Sequence, residues 1–276
     1  MNKRVAIQGV LASFHEAAAN QFFGEKIEII ECANFQQLFA SMTNGDADFA
    51  ICAFENAIAG SILPNYARLR NANLEIFGEV YLCIEMNLLA LAGQKIEEIE
   101  EIHSHPMAFL QCEEFLSNYP NIQLVESSDT ASSAKEIKEH HIKHRAAIAS
   151  KRAAEVFDLD IIAADIHDNK RNFTRFLALR RRNGELVKGI NKASLSFRAN
   201  HLPGSLAKIL TKIGEHGINL NKIQSLPVIG EEWKYFFYVD LRFEEFADYR
   251  KMMDEIEPLT SELKILGEYQ QGEKPI

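Results

Sequence analysis

Long hydrophobic runs are missing. No stretch of this 276-residue chain approaches the roughly 20 consecutive apolar residues that a helix needs to cross a bilayer. Basic charge is in deficit: 30 Lys and Arg stand against 39 Asp and Glu, a formal net charge of -9. That argues against nonspecific nucleic-acid or anionic-membrane binding, since both reward a basic surface, so neither is an expected partner. An anionic ligand must be held by local donors against the overall field. The four cysteines, Cys32, Cys52, Cys83 and Cys112, form no C-x-x-C pair. All but Cys112 fall in apolar strand-like runs, so the expected state is buried free thiols rather than disulfides. The opening "MNKRVAIQGVLASF" is basic but lacks an apolar core ahead of a small-residue cleavage site. It reads as a first strand rather than a signal peptide, and the expected location is cytoplasmic. Internal repeats and low-complexity segments are absent too.

What is present is an ordinary globular composition, 47% apolar and 25% charged, in a chain long enough for two domains. The first two-thirds alternate short apolar strands with amphipathic helices. "RVAIQGV" leads into "FHEAAANQFF", whose Ser13-x-x-Glu16 start fits a capping box. "KIEIIEC" is a strand, "FQQLFASMTNG" a helix closed by Gly45, and "DFAICAF" a buried strand. Pro64 belongs in the first turn of the helix through "ILPNYARLRN". "IFGEVYLCIEMNLLAL" is extended, "HPMAFLQCEEFLSNYP" a helix between prolines, and "DTASSAKEIKEHH" another helix. This rhythm implies a mostly parallel α/β sheet. After "RRRNGELVKG" the pattern becomes strand, helix, two strands, helix, strand in about eighty residues, a ferredoxin-like unit. The domain boundary belongs in the linker around 181–191.

In an open α/β sheet the ligand crevice lies beyond the carboxyl ends of the strands, where helix N-termini offer free N–H groups. Three strand-to-helix junctions carry short polar side chains: "FENAIAGS", "HSHPM" and "ESSDTASSAK". Ser104, Asp129 and Thr130 taken singly also fit plain helix caps. A fourth stretch, "DNKRNFTRFLAL", places Thr174 and Arg175 where a loop enters a hydrophobic strand. A packed core has no use for a hydroxyl beside a guanidinium, so solvent or a ligand must meet them.

The order "QGVLASFHEAA", "ENAIAGS", "SHPMAFLQC", "SDTASSAK", "NFTRF", followed by "PGSLAKIL" and "GINLNKIQSLP", resembles the prephenate dehydratase family with a C-terminal ACT regulatory domain. The resemblance covers nearly the whole chain. It implies a two-lobed α/β catalytic domain similar to type 2 periplasmic binding proteins over 1–182, with one lobe from about 1–78 and 161–182 and the other from about 79–160. A ferredoxin-like βαββαβ ACT domain follows over 192–270. The activity implied is conversion of prephenate to phenylpyruvate with loss of water and carbon dioxide, in phenylalanine biosynthesis. Aromatisation drives it, so no cofactor and no metal is expected. His140, His141 and His144 have helical spacing but no acidic or thiol partner, which counts against zinc.

By the same resemblance Thr174 and Arg175 are the catalytic pair. Thr174 is a donor or relay to the departing hydroxyl, and Arg175 a bidentate clamp for one carboxylate. Substrate-binding positions are Glu55, Asn56, Gly60, Ser61, Ser104, His105, Gln111, Thr130, Ala131, Ser133 and Phe176. Glu55, near a dianion, must be protonated, turned outward or paired with a cation. The family's Gly-Pro turn is "GVLAS" here, and Leu11 and Ala12 are less able to adopt positive φ. Ala57 replaces a usual Ser or Thr. In the ACT unit, Gly204, Ser205, Leu206, Asn219, Leu220, Gln224 and Ser225 match the effector motifs, implying phenylalanine as allosteric effector and a homodimer or homotetramer. Gln224 and Leu226 replace an acidic and a basic residue of the family pattern. Arogenate in place of prephenate, or a non-enzymatic small-acid sensor with an ACT dimerisation module, are the readings left open.

Overall fold

The computed structural model describes residues 2–24, 26–183, 188–200, 202–228 and 230–274. The expected linker at 181–191 and the strand through "LPVI" therefore fall partly outside the described residues. The elements begin with β1 (Lys3–Gln8), α1 (Phe14–Phe23), β2 (Ile27–Cys32), α2 (Phe35–Asn44), β3 (Phe49–Asn56) and β4 (Gly60–Ser61). Next come α3 (Leu63–Asn71), β5 (Leu74–Cys83), β6 (Asn87–Ala90), β7 (Glu101–Ser104), α4 (Pro106–Leu110) and α5 (Glu113–Leu116). They are followed by β8 (Gln123–Glu126), α6 (Thr130–His140), β9 (Arg145–Ala149), α7 (Lys151–Phe157), β10 (Asp160–Ala163) and β11 (Phe173–Arg181). The rest is β12 (Lys192–Ala199), α8 (Ser205–Glu215), β13 (Asn219–Pro227), β14 (Tyr235–Arg242), α9 (Phe246–Ile256) and β15 (Thr260–Tyr269).

The chain forms two compact units. The first holds Met1–Ser61, Val80–Phe176 and Lys274–Ile276; the second holds Ile62–Glu79 and Leu177–Glu273. The division falls inside β5 and β11.

The first unit carries two sheets. In one, β1 runs parallel to both β2 and β3, β4 folds back antiparallel on β3, and the start of β11 lies on the other side of β3. The other has the order β10-β6-β9-β7-β8. There β7 is parallel to β8 and β9, while β6 is antiparallel to β9 and β10. The sheets are thus mixed rather than purely parallel. β6 shows why its run is continuously apolar. Leu88 packs with Ile102, Ile148 and Cys112, whereas Leu89 packs with Ala134, Ile137 and Ala147 on the opposite face. A strand covered on both faces buries every residue, each Leu contributing roughly 1.5–3 kcal/mol.

Local signals place the helices. Ser13 caps α1 by accepting the Glu16 N–H at 3.3 Å. The Glu16 carboxylate, which a capping box would turn onto the cap N–H, instead takes the Ala12 N–H at 2.7 Å and the Arg152 guanidinium at 2.8 Å. Gly45 closes α2 at φ +86°, and Pro64 sits in the first turn of α3. The expected single helix through "HPMAFLQCEEF" is broken into α4 and α5 at Gln111 and Cys112. Of the four thiols, Cys83 is exposed and the other three buried, so the expectation of a buried Cys83 fails at the end of β5.

In the second unit β12, β13, β14 and β15 form the order β13-β14-β12-β15, antiparallel throughout, with α8 and α9 over a core of Leu195, Phe197, Ile209, Val239 and Met252. This is the ferredoxin-like unit expected. The 74–79 part of β5 joins beyond β15, running parallel to it at Gly267 and Ile76. A Cβ at Gly267 would lie 2.2 Å from the Ile76 carbonyl oxygen, so only glycine permits that pairing. Among the described residues no helix is long and apolar enough to cross a membrane.

Candidate active site

The site begins where β3 ends and β11 starts. Neighbouring strands alternate their side chains, which sorts four polar residues into two pairs. Asn56 meets Thr174 on one face, its Nδ2 donating to the Thr174 hydroxyl oxygen at 3.0 Å. Glu55 meets Arg175 on the other, 3.7 Å apart, with Arg175 only 4% exposed. The pairing resolves the expectation for Glu55: it is matched by a cation. Glu55 and Asn56 are also held by β4, lying opposite Ser61 and Gly60.

The turn after β3 sets the orientation of the Asn56 amide. Its Oδ1 accepts the backbone N–H groups of Ile58 at 3.0 Å and Ala59 at 2.8 Å. Since only the oxygen can accept, Nδ2 must face Thr174 and Asn172. Nδ2 donates to Asn172 Oδ1 at 2.8 Å, and Asn172 Nδ2 in turn donates to Gln111 Oε1 at 2.9 Å. Thr174 is 8% exposed and accepts from Asn56; among the described residues its own O–H meets no acceptor. The bond it accepts draws density from the oxygen and strengthens it as a donor.

The other candidate residues are placed less centrally. Ser104 is fully buried and donates its hydroxyl to the Ile148 carbonyl at 2.7 Å, so β9 holds it, leaving no exposed oxygen for a ligand. Ser133 shares a 2.6 Å hydrogen bond with Ser127, and Ala131 is buried. Thr130 opens α6, where Asp129 already takes the Ser132 N–H at 3.0 Å and its hydroxyl at 2.8 Å. That carboxylate opposes a second anion at the same helix end. His105 caps α4, its Nδ1 accepting the Met107 N–H at 3.2 Å; burial lowers its pKa against the raising pull of Asp129 and Glu126. Both groups act as caps, which for Asp129 is the plainer of the two sequence readings. Phe176 is buried with its ring edge-on to His15 at 5.0 Å.

Sequence reasoning left Asn172 out of the site, passed over His15, and expected Ala12 to resist positive φ. Asn172 stood inside the quoted "NFTRF" but has no signal of its own until residues 56 and 111 are brought beside it. His15 is buried on α1, its Nε2 accepting the Ala53 N–H at 3.3 Å, and burial lowers its pKa to about 3. Ala12 adopts φ +67°, the left-handed conformation that its Cβ disfavours by about 1–2 kcal/mol. The Glu16 and Ser150 hydrogen bonds to its N–H and carbonyl hold it there.

The His15 environment makes a prediction with a definite sign. Its folded pKa lies below the unfolded 6.5, so between pH 6.5 and about 3 the unfolded chain binds a proton that the folded chain refuses. Stability therefore falls as pH drops through that window, by up to about 1.4 kcal/mol per unit. Urea midpoints at pH 7 and pH 4.5 should differ less for His15→Gln than for the parent. Equal differences would show that His15 does not drive the acid sensitivity.

In the second unit a hollow of about 840 Å³ is lined by Arg198, Leu202–Leu206, Trp233, Tyr235 and Glu262, taking in the expected Gly204, Ser205 and Leu206. Arg198 makes two bonds to Glu231, at 3.1 and 2.8 Å, and one to Glu262 at 2.7 Å. The hydrogen bonds from Arg198 and Lys234 hold the Glu231 carboxylate down to about 2. The expected Asn219, Leu220, Gln224 and Ser225 lie instead on β13, the outer strand of its sheet. They do not line this hollow. Among the described residues no group of three or more His, Cys, Asp or Glu could hold a metal ion.

The arrangement defines a class: an α/β unit presenting a polarised hydroxyl within an amide network, and a ferredoxin-like unit with its own hollow. Residues 5–184 match the prephenate dehydratase family model and residues 193–245 the ACT domain model. The chain belongs to the prephenate dehydratase family. It is 36% identical over 283 residues to the arogenate dehydratase/prephenate dehydratase 2 of Arabidopsis thaliana, covering 96% of this chain and 72% of that one. The structure of a prephenate dehydratase from Arthrobacter aurescens in complex with L-Phe is similar at TM-score 0.86 and 27% identity, covering 96% of this chain and 89% of that one. A structure described as a novel type of quorum quenching acylase is similar at TM-score 0.87 and 29% identity, covering 98% of each chain.

Proposed function

We propose that this chain is a prephenate dehydratase, and that Thr174 is the group that assists loss of the ring hydroxyl. The observation that carries the reading is the Asn56-to-Thr174 hydrogen bond, which leaves the threonine proton to be given to a ligand. Prephenate carries its leaving hydroxyl at ring C4 and a carboxylate at C1. The C1–carboxylate bond breaks to release carbon dioxide, and its electron pair enters the ring. The C4–O bond breaks, and the departing oxygen takes a proton to leave as water. Thr174 donates a hydrogen bond to that oxygen as negative charge builds on it. Its own acidity is too weak to supply the proton outright, so the proton that completes the leaving water comes from solvent, relayed through this hydroxyl.

Arg175 supplies the cation for one carboxylate, with Glu55 holding the guanidinium in place. The neutral donor of Gln111 suits the other. A carboxylate that must leave is better held by neutral groups than by a charge that stabilises the ground state. Arg175→Ala is expected to raise KM about 10- to 100-fold, the loss of a charged hydrogen bond, with kcat less affected. Steady-state kinetics that left KM unchanged would remove the clamp.

The division proposed is 1–182 for catalysis, with one lobe from about 1–78 and 161–182 and the other from about 79–160, and 192–270 for regulation. The regulatory reading takes phenylalanine as effector, supported by the bound L-Phe of the Arthrobacter aurescens relative. A homodimer or homotetramer in the cytoplasm completes it. Calorimetry with phenylalanine should show saturable binding, and a flat titration would leave a dimerisation module without effector.

The deciding experiment incubates purified protein with prephenate and, separately, arogenate, following phenylpyruvate and phenylalanine. Turnover of prephenate is the expected result. Preference for arogenate would move the activity to the amino analogue, which the Arabidopsis thaliana relative's name includes. An N-acyl amide serves as a third substrate, since an acylase is among the similar structures. Inertness to all three would leave a small-acid sensor.

A further inference from the structure

We infer that Asn172 is a positioning residue that sets the donor direction of the whole amide network, and through it presents both the Thr174 hydroxyl and the Gln111 amide to the ligand. The inference rests on the dehydratase reading above for its kinetic consequence, though not for its geometry.

Asn172 is fully buried, one residue before β11. Its side chain is spent at both ends: Oδ1 accepts from Asn56 at 2.8 Å and Nδ2 donates to Gln111 Oε1 at 2.9 Å. Its backbone carbonyl accepts the Ile84 N–H at 2.7 Å. A buried amide with oxygen and nitrogen both committed has only one satisfactory orientation. The direction is inherited. The Ile58 and Ala59 N–H groups fix the Asn56 oxygen, so Asn56 can only donate, so Asn172 must accept there and donate onward. Gln111 is therefore left with its oxygen inward. Its Nε2 meets no acceptor among the described residues and retains contact with solvent. The same chain gives Thr174 a hydrogen bond to accept, which leaves its proton outward. Two donors in the site thus derive from one orientation, and Asn172, unlike Thr174 and Gln111, has no free atom of its own to offer. Asn172 therefore acts through Asn56 and Gln111.

Changing Asn172 has separable consequences. Asn172→Ala removes the acceptor that shares the Asn56 amide and releases Gln111 to rotate. Asn172→Asp keeps the shape and the acceptor for Asn56 but cannot donate to Gln111, which must turn its nitrogen inward and its oxygen toward the ligand.

The test combines kinetics on prephenate with nitrogen-15 NMR of the side-chain amides in the full chain. For Asn172→Ala, kcat should fall about 10- to 100-fold, as expected from misplacing a reacting group by about an ångström. In a Thr174→Ala background the same change should cost less than about 3-fold, because coupled residues do not add. For Asn172→Asp, KM should rise more than kcat falls, because Asn56 and Thr174 stay in place while Gln111 reverses. The Asn56 side-chain hydrogens should exchange with solvent more slowly in the parent than in Asn172→Ala. Equal losses in the parent and Thr174→Ala backgrounds, or unchanged Asn56 exchange, would overturn the proposal. If Asn172→Ala does not fold, the near-isosteric Asn172→Asp carries the test by its split between KM and kcat and by the Gln111 amide shifts. Should the parent prove inert toward prephenate, the dehydratase reading fails by itself. The NMR comparison still decides whether Asn172 orients its neighbours.

Discussion

Thr174→Ala is expected to lower kcat on prephenate by about 10²- to 10⁴-fold with little change in KM, the usual span for a positioned acid–base group. The reasoning is geometric. The hydroxyl accepts a hydrogen bond from Asn56 at 3.0 Å and donates to none of the described residues, so in the proposed mechanism the group removed acts only where charge develops on the departing oxygen. Thr174→Val keeps the shape and the strand propensity, which separates loss of the hydroxyl from loss of packing. Thr174→Ser keeps the hydroxyl and should retain most activity. Steady-state kinetics on the three variants checks this. A Val variant with normal turnover would show that the reaction needs no hydroxyl at this position.

The second large effect concerns stability. Lys192 begins β12 with its Nζ buried and bonded to both oxygens of Glu79, at 2.8 and 2.9 Å. Both side chains are all but inaccessible to solvent. Removing one member leaves the other charge in a low-dielectric setting, which typically costs about 3–5 kcal/mol. Lys192→Met and Glu79→Leu are each expected to destabilise by that order. The combination should be far milder than the sum, because two apolar side chains of similar size need no counter-charge. Denaturant midpoints on the two single variants and the double variant test it; additive losses would mean the pair contributes only shape.

The elements themselves could be read from local chemistry. Ser13, Gly45 and Pro64 marked ends of α1 and α2 and the start of α3, because caps and breakers act within a turn or two of chain. The ferredoxin-like unit was legible for the same reason: its strands alternate and its helices are amphipathic. The break between α4 and α5 was not, since "HPMAFLQCEEF" has no internal glycine or proline. What interrupts the run is the tertiary engagement of Gln111, whose carbonyl accepts the Asp168 N–H at 2.8 Å and whose side chain meets Asn172. Ala12 ran against intrinsic preference, because Glu16 takes its N–H while Arg152 and Ser150 fasten that turn from distant positions.

The candidate site divides along the same line. Thr174, Asn56 and Gln111 stood out as polar residues at strand-to-helix junctions or in a family motif. Their hydrogen-bond directions did not, because they follow from residues 116 and 61 positions apart in sequence meeting in space. Arg198, Glu231 and Glu262 were invisible for a related reason. Each is an ordinary charged residue on a strand or loop until the fold gathers them beside one hollow. Asp129 and His105 show the converse: polar residues at the expected junctions that the structure uses as helix caps.

The Glu79–Lys192 pair also bears on how the protein is made. The two residues are 113 positions apart, so the carboxylate leaves the ribosome long before the ammonium that neutralises it. Until then the middle of β5 has every electrostatic reason to stay in water. A fragment truncated in the linker, even with Thr174 and its amide network intact, would forfeit that ammonium for good. Shortening the gene to drop the ACT domain would therefore be expected to yield a less durable protein.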